Sequence, residues 1–238
     1  MELVIMSLRD QLIEGLEPCY LENEQARYSK NGKGIPSVTE ILGFIDCQGL
    51  IDWANMVGRK GINNKHVLKR AAQYGTNTHS AIENFLKGKD TFTDNSSFMS
   101  FKLWWYNLHQ NTHSVEIIGQ EEPLVGEFFA GTYDLLLNID GKIYLIDFKT
   151  SNHVSYKYFM QLAAYRYLLY TLKNINIHGC IILQLGKNKK PKFNEFALCF
   201  EYPEHHAFIE NCTNAFFGLL YTYHTVENAK IQFDNLFY

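Results

Sequence analysis

A chain of 238 residues with 46% hydrophobic and 20% charged content is long enough to bury a substantial core and too balanced for a disordered tail or a fibrous repeat. Its formal net charge of -3 excludes a surface coated in positive charge and leaves room only for local basic patches. Fifteen Tyr, 17 Phe and 3 Trp are a rich aromatic supply, to be spent on core or on stacking surfaces.

The opening stretch Met1 to Ile13 is too short and too interrupted by charge for a membrane span, and it lacks the positive start and small-residue cleavage site of a secretion signal. Five cysteines (Cys19, Cys47, Cys180, Cys199, Cys212) lie far apart without a C-x-x-C pair, the pattern of reduced intracellular thiols. A cytoplasmic protein is expected, in the host cytoplasm if it is viral. No linker-like stretch divides the chain, so one domain is expected over 1–238: a mainly helical part over 1–110, a sheet core over 111–200, and a helix with a tail over 201–238.

Residues 14–34 show no clear period, and Tyr20 and Tyr28 flank an expected pair of short extended segments. At Pro36 a helix start follows, with Ser37 as N-cap and Glu40 three residues on completing a capping box. The hydroxyls of Ser37 and Thr39 there serve either as a plain cap or as contacts for a phosphate. From Leu50 the pattern is helical, with Trp53, Met56 and Val57 on one stripe before Gly58. A second helix is expected from about Lys65 to Leu86. On it His79 and Glu83 are four apart and share a face, with Gly75 and Thr76 one turn earlier, where a small residue permits close approach to a sheet or a ligand. Taken alone, His79 reads equally as a half-buried structural histidine.

Residues 88–97 are loop-like, and a third helix runs from Phe98 to His109. Its adjacent Trp104 and Trp105 cannot both face one core, so one of them is free for stacking or for a neighbouring helix. The alternating run V-E-I-I-G-Q-E-E-P-L-V is the first core strand; Glu121 and Glu122 within it point opposite ways. Two apolar runs, Tyr133 to Ile139 and Lys142 to Phe148, flank Asp140-Gly141, a dipeptide suited to a tight hairpin. That hairpin brings Asp134, near the start of one strand, together with Asp147 and Lys149 at the end of the other. Either these carboxylates hold a hard divalent cation beside the ammonium, or Lys149 makes an ordinary strand-end salt bridge.

Next, Lys157 to Lys173 is a helix with Gln161 and Tyr165 on one face and Leu162, Ala163 and Leu169 turned inward. His178 to Leu185 and Lys192 to Phe200 are two further strands, Pro203 to Thr225 a closing helix, and Ile231 to Tyr238 an aromatic tail. Two basic groups stand out: Lys60, Lys65, Lys69 and Arg70, and then Lys187, Lys189, Lys190 and Lys192. Both read equally as solvated faces, the second as a plain hairpin loop with Gly186, Asn188 and Pro191.

Taken in order, P-S-V-T-x-I-L at 36–42, G-x-x-x-H at 75–79, G-T-x-D at 131–134, D-x-K-T at 147–150 and Q-x-x-x-Y at 161–165 resemble the PD-(D/E)xK nuclease superfamily, in its RecB-type exonuclease branch. Within that branch the order and size are similar to the mitochondrial genome maintenance and phage-type exonucleases. The resemblance implies an α/β fold, a restriction-endonuclease-like core with a central mixed β-sheet flanked by helices and an N-terminal helical region. It implies Mg2+ or Mn2+ held by Asp134, Asp147, the backbone carbonyl of Phe148, His79 and Glu121, with Glu122 the alternate. Lys149 then orients and deprotonates the attacking water. Gln161 and Tyr165 position Lys149 or a phosphate, and Ser37, Thr39, Gly75 and Thr76 face DNA. The cysteine spacing lacks the tight trio that holds the iron-sulfur cluster of some relatives, so no iron-sulfur cluster is expected. The implied activity is a DNA exonuclease acting on free single-stranded ends, the strand passing the helices that carry Trp53, His79 and Trp104, with replication or recombination proteins as partners and no membrane. A duplex-degrading recombination exonuclease and a noncatalytic nucleic-acid binding module derived from a nuclease are the alternatives.

Overall fold

Leu135, Leu136 and Leu137 are consecutive yet belong to two different cores, because successive strand residues point to opposite faces of a sheet. Leu136 packs with Leu145 and Ile182 on one face, while Leu135 and Leu137 pack with Ile146 and Ile181 on the other. A sheet covered on both sides needs apolar residues at nearly every position, which is why these strands read as continuous apolar runs.

The computed structural model describes residues 8–20, 26–45, 54–56 and 58–238. Its main sheet has five strands, β3 (Val115–Val125), β4 (Ala130–Ile139), β5 (Lys142–Lys149), β6 (Gly179–Leu185) and β7 (Phe193–Cys199), in spatial order β3-β4-β5-β6-β7. All neighbours are antiparallel except β5 and β6, which are parallel and are therefore joined by a crossover through a helix, α5 (Tyr156–Lys173). The expected mixed sheet flanked by helices is what the chain forms. At the β4–β5 turn Asp140 has φ 51 and Gly141 φ 84, the double positive φ that the Asp-Gly pair suits.

One face of the sheet is covered by α5, by α6 (Pro203–Phe237) and by the short α2 (Val38–Leu42); the other is covered by α3 (Asn64–Leu86) and α4 (Ser96–Asn111). A small hairpin, β1 (Tyr28–Lys30) and β2 (Lys33–Ile35), and α1 (Leu8–Ile13) complete the described N-terminal part. The capping box expected at Ser37 is formed: Ser37 N donates to Glu40 Oε2 at 2.6 Å and Glu40 N donates to Ser37 Oγ at 3.2 Å. Ala130 N donates to Pro36 O at 3.0 Å, so the P-S-V-T segment is tied to the start of β4.

Of the two adjacent tryptophans it is Trp104 that turns inward: it is 2% exposed, its ring lies in the far-side core, and its indole N–H donates to Glu195 Oε2 at 2.7 Å. Its neighbour Trp105 is half-buried and stacks on Phe101 at 5.9 Å. The closing helix, expected to stop at Thr225, runs without a break to Phe237, because nothing after Gly218 interrupts it and Lys230 pairs with Glu227 one turn away. The aromatic tail is thus the last turns of α6. Trp53 and Val57 lie outside the described residues, and Met56 is exposed.

Inside this frame His224 is fully buried and neutral. Cys19 N donates to its Nδ1 at 3.0 Å and its Nε2 meets the Phe128 carbonyl at 2.8 Å, while burial holds its pKa below the usual imidazole value. Among the described residues no helix is long and apolar enough to cross a membrane.

Candidate metal and catalytic site

The β4–β5 ladder runs from Ile139↔Lys142 to Leu135↔Ile146 and then stops. At the next step Asp134 would face Asp147 across the ladder; instead the Asp134 carboxylate takes the Phe148 N–H at 2.6 Å, replacing a backbone partner by a side chain. The strands part there and form the floor of a cleft of about 690 Å3. On β3, Glu121 falls between the pairs Gln120↔Leu135 and Glu122↔Tyr133, opposite Asp134. Its φ of 48 is rare for a residue with a side chain and costs about 1–2 kcal/mol, which the flanking strand pairs must supply. This conformation answers the choice between the two glutamates. Glu121 turns to the cleft, while Glu122 pairs with Lys173 and bonds Tyr133.

Along β5, Ile146 and Phe148 point into the far-side core, so Asp147 and Lys149 face α5. Asp147 is 1% exposed. Lys149 Nζ donates to Asp147 Oδ1 at 3.0 Å and lies 2.7 Å from Oδ2; it also donates to Gln161 Oε1 at 3.1 Å. Gln161 Nε2 in turn donates to Tyr165 Oη at 3.0 Å. Gln161 and Tyr165 are four apart on α5, one turn, which makes the relay Lys149–Gln161–Tyr165 a direct product of helix geometry. The ammonium also sits 4.6 Å above the Tyr158 ring. Tyr158 was missed in the sequence, although its i, i+3 spacing to Gln161 is a usable signal.

His79 enters from α3. Its Nδ1 is 3.3 Å from Glu121 Oε1 and 3.4 Å from Asp134 Oδ1, and its Nε2 is 3.2 Å from the Phe148 carbonyl. Both ring nitrogens face acceptors. Burial works against a charge on the ring, but the Asp134 and Glu121 carboxylates outweigh it and push the pKa up to about 11. Burial likewise raises Asp134, and the facing His79, Lys149 and the Phe148 N–H more than reverse this, leaving it below the usual carboxylate range. For Asp147 burial prevails over Lys149, and its carboxyl is pushed up to about 6.

The side-chain ligand atoms of His79, Glu121 and Asp134 lie within 4.8 Å of one another, a spacing that one metal ion could bridge. Asp147 stands beside this trio rather than in it, because its carboxylate turns toward Lys149. Its Oδ2 is nonetheless buried without a hydrogen bond of proper geometry, an acceptor that invites a cation. Two carboxylates and one imidazole, with the buried Asp147 carboxylate and the Phe148 carbonyl beside them, are oxygen-rich donors suited to Mg2+ or Mn2+ and a poor match for a thiolate-seeking metal. The residues present therefore fit the group that the sequence motifs imply.

Other expected contacts are placed as follows. Thr39, Gly75 and Thr76 line the cleft, as does Ser37. Ser37 is 8% exposed and its hydroxyl is already engaged by Glu40 and by Thr39 Oγ1 at 3.1 Å, so Thr39 is the hydroxyl open to solvent. A Cβ at Gly75 would rest 3.7 Å from Thr150 Oγ1, an ordinary contact, so glycine is not required there for α3 to approach the sheet. At Gly131 it is required: a Cβ would fall 2.4 Å from the Tyr165 ring. Gly131→Ala is expected to push Tyr165 off Gln161 and to destabilise the fold by about 1–3 kcal/mol, read as a lower midpoint in urea at unchanged slope. Arg27, at the cleft rim with its guanidinium 5.3 Å from the Tyr28 ring, had no signal in the sequence.

No family model matches the chain, and no curated protein does. Among solved structures, one titled "Crystal structure of SSO0001" is 17% identical, with a TM-score of 0.41, over 89% of this chain and 83% of that chain. A likeness of that degree carries no argument about function.

Proposed function

We propose that this protein is a Mg2+- or Mn2+-dependent deoxyribonuclease of the PD-(D/E)xK type that hydrolyses phosphodiester bonds from free single-stranded DNA ends. The observation that supports it most is the meeting of Asp134, Asp147 and Lys149 where β4 and β5 part, with His79 and Glu121 brought to the same cleft floor by other elements.

Asp134, Asp147, Glu121, His79 and the Phe148 carbonyl would hold the cation, which supplies charge neutralisation and activation of water when bound. Lys149 faces the space where the attacked phosphate sits and offsets the negative charge that grows there. Gln161 holds the ammonium from behind, and the Tyr165 hydroxyl holds Gln161, so the charge is aimed before substrate arrives. Thr39, Gly75 and Thr76 give the strand polar and close-packing contacts along the cleft wall. Replication or recombination proteins are the partners this activity suits. Four described cysteines without a disulfide suit a reducing compartment, and we assign the activity to the cytoplasm.

The test is digestion of end-labelled single-stranded, duplex and circular DNA with Mg2+ or Mn2+. Loss of linear single strands with circles spared is the expected result. Strand binding without cleavage under either metal would overturn the assignment in favour of a noncatalytic binding module.

A further inference from the structure

The exposed cations of this chain divide by whether an acid neutralises them. Lys142, Lys173 and Lys230 each lie against a glutamate. Lys187, Lys189 and Lys190, all exposed on the β6–β7 loop, make no ion pair with the described residues. A protein of net charge -3 that leaves a lysine cluster unneutralised has kept a local positive field that its overall balance conceals.

The loop carrying that field is held in shape by buried groups. Ser97 and Ser100, each 0% exposed, both donate to the Gly186 carbonyl at 3.1 Å, and Ser100 Oγ accepts from Lys192 N at 3.1 Å. Gly186 N donates to Lys192 O at 2.8 Å, closing the loop at its base. Lys187 Nζ sits 5.2 Å over the ring of Tyr74, whose hydroxyl donates to Ser97. Beside the loop is a polar recess of about 210 Å3, lined by Lys187, Asn188 and Lys192 of the loop and by Thr150, Ser151 and Asn152, the residues that follow Lys149. Thr150 Oγ1 would lie 3.7 Å from a Cβ built on Gly75, which lines the catalytic cleft, so the recess and the cleft come close to each other at Thr150.

We propose that the β6–β7 loop is a second phosphate-binding station, holding the polynucleotide strand beyond Thr150 while its scissile bond lies over Lys149. This rests on the polynucleotide reading of the catalytic cleft. Lysine ammonium groups on exposed stems act as point charges for phosphates and make no base-specific pairing, so the station binds strands irrespective of sequence. Its contribution is electrostatic and is measured by salt.

The experiment is fluorescence anisotropy of a labelled oligothymidylate with chelator present, titrated across a range of salt. Two triple variants remove the same formal charge: Lys187→Ala with Lys189→Ala and Lys190→Ala, and Lys142→Ala with Lys173→Ala and Lys230→Ala. The loop triple is expected to make the slope of log K against log salt shallower by about 2, at roughly 0.7 per phosphate contact on a single strand. The acid-paired triple is expected to leave that slope unchanged. An unchanged slope in the loop triple, or an equal loss in both triples, overturns the proposal. Binding is read without cleavage, so a failed digestion assay and a failed slope test count against different statements.

Discussion

Lys149→Ala is expected to lower the rate of DNA hydrolysis about 10^2- to 10^4-fold, the range for removing a group that assists proton transfer or meets developing charge. The same change is expected to destabilise the protein in a pH-dependent way. Asp147 is 1% exposed, and burial has already pushed its carboxyl up to about 6 with the ammonium beside it. Without Lys149 the carboxyl moves further up. A raised folded-state carboxyl means that the native protein binds the proton more tightly than the unfolded chain does, so stability falls as pH rises. The cost at pH 8 should approach the roughly 3–5 kcal/mol of breaking a buried pair and shrink at pH 5, where Asp147 is neutral. Urea unfolding at the two pH values reads the stability, and end-labelled DNA reads the rate. A variant that digests DNA as fast as the parent would remove Lys149 from the chemistry.

Millimolar Mn2+ is expected to stabilise the parent protein, by about 2.7 kcal/mol when its concentration is a hundredfold above the dissociation constant, and to leave Asp134→Asn unmoved. Binding should also release a proton. With its pKa pushed up to about 11 the His79 ring holds a proton on each nitrogen at neutral pH, and a ligating nitrogen must give its proton up, so affinity rises with pH. Titration calorimetry in buffers of differing protonation enthalpy measures the release. An unshifted melting curve in the parent would leave the acidic cluster as a structural network.

Much of this site was legible because it is local. Asp140-Gly141 specifies its own hairpin, Ser37 and Glu40 their own cap, and one helical turn brings Gln161 and Tyr165 together. Alternation along β5 places Asp147 and Lys149 on one face without reference to the rest of the chain. What escaped depends on neighbours distant in sequence. Glu121 was named as a ligand from its strand, but the positive φ by which it reaches the cleft lies between strand pairs formed with β4, and no propensity announces that conformation. Gly131 is a glycine because Tyr165, on another element, occupies the space of its Cβ. Which of Trp104 and Trp105 turns inward was left open because their helix allows either; Trp104 does, and it finds its acceptor at Glu195 on β7. For Asp147 the sequence left a cation ligand and a salt bridge to Lys149 both open; with Gln161 on α5 holding the ammonium, Lys149 Nζ lies 2.7 Å from Asp147 Oδ2.

Anomalous diffraction from a crystal soaked in Mn2+ addresses the cation most directly. A peak bonded to Asp134 and Asp147, with His79 or Glu121 completing its shell, is the expected density. Density confined to surface carboxylates, with the floor of the cleft empty at saturating Mn2+, would contradict a metal-dependent hydrolase built on these residues.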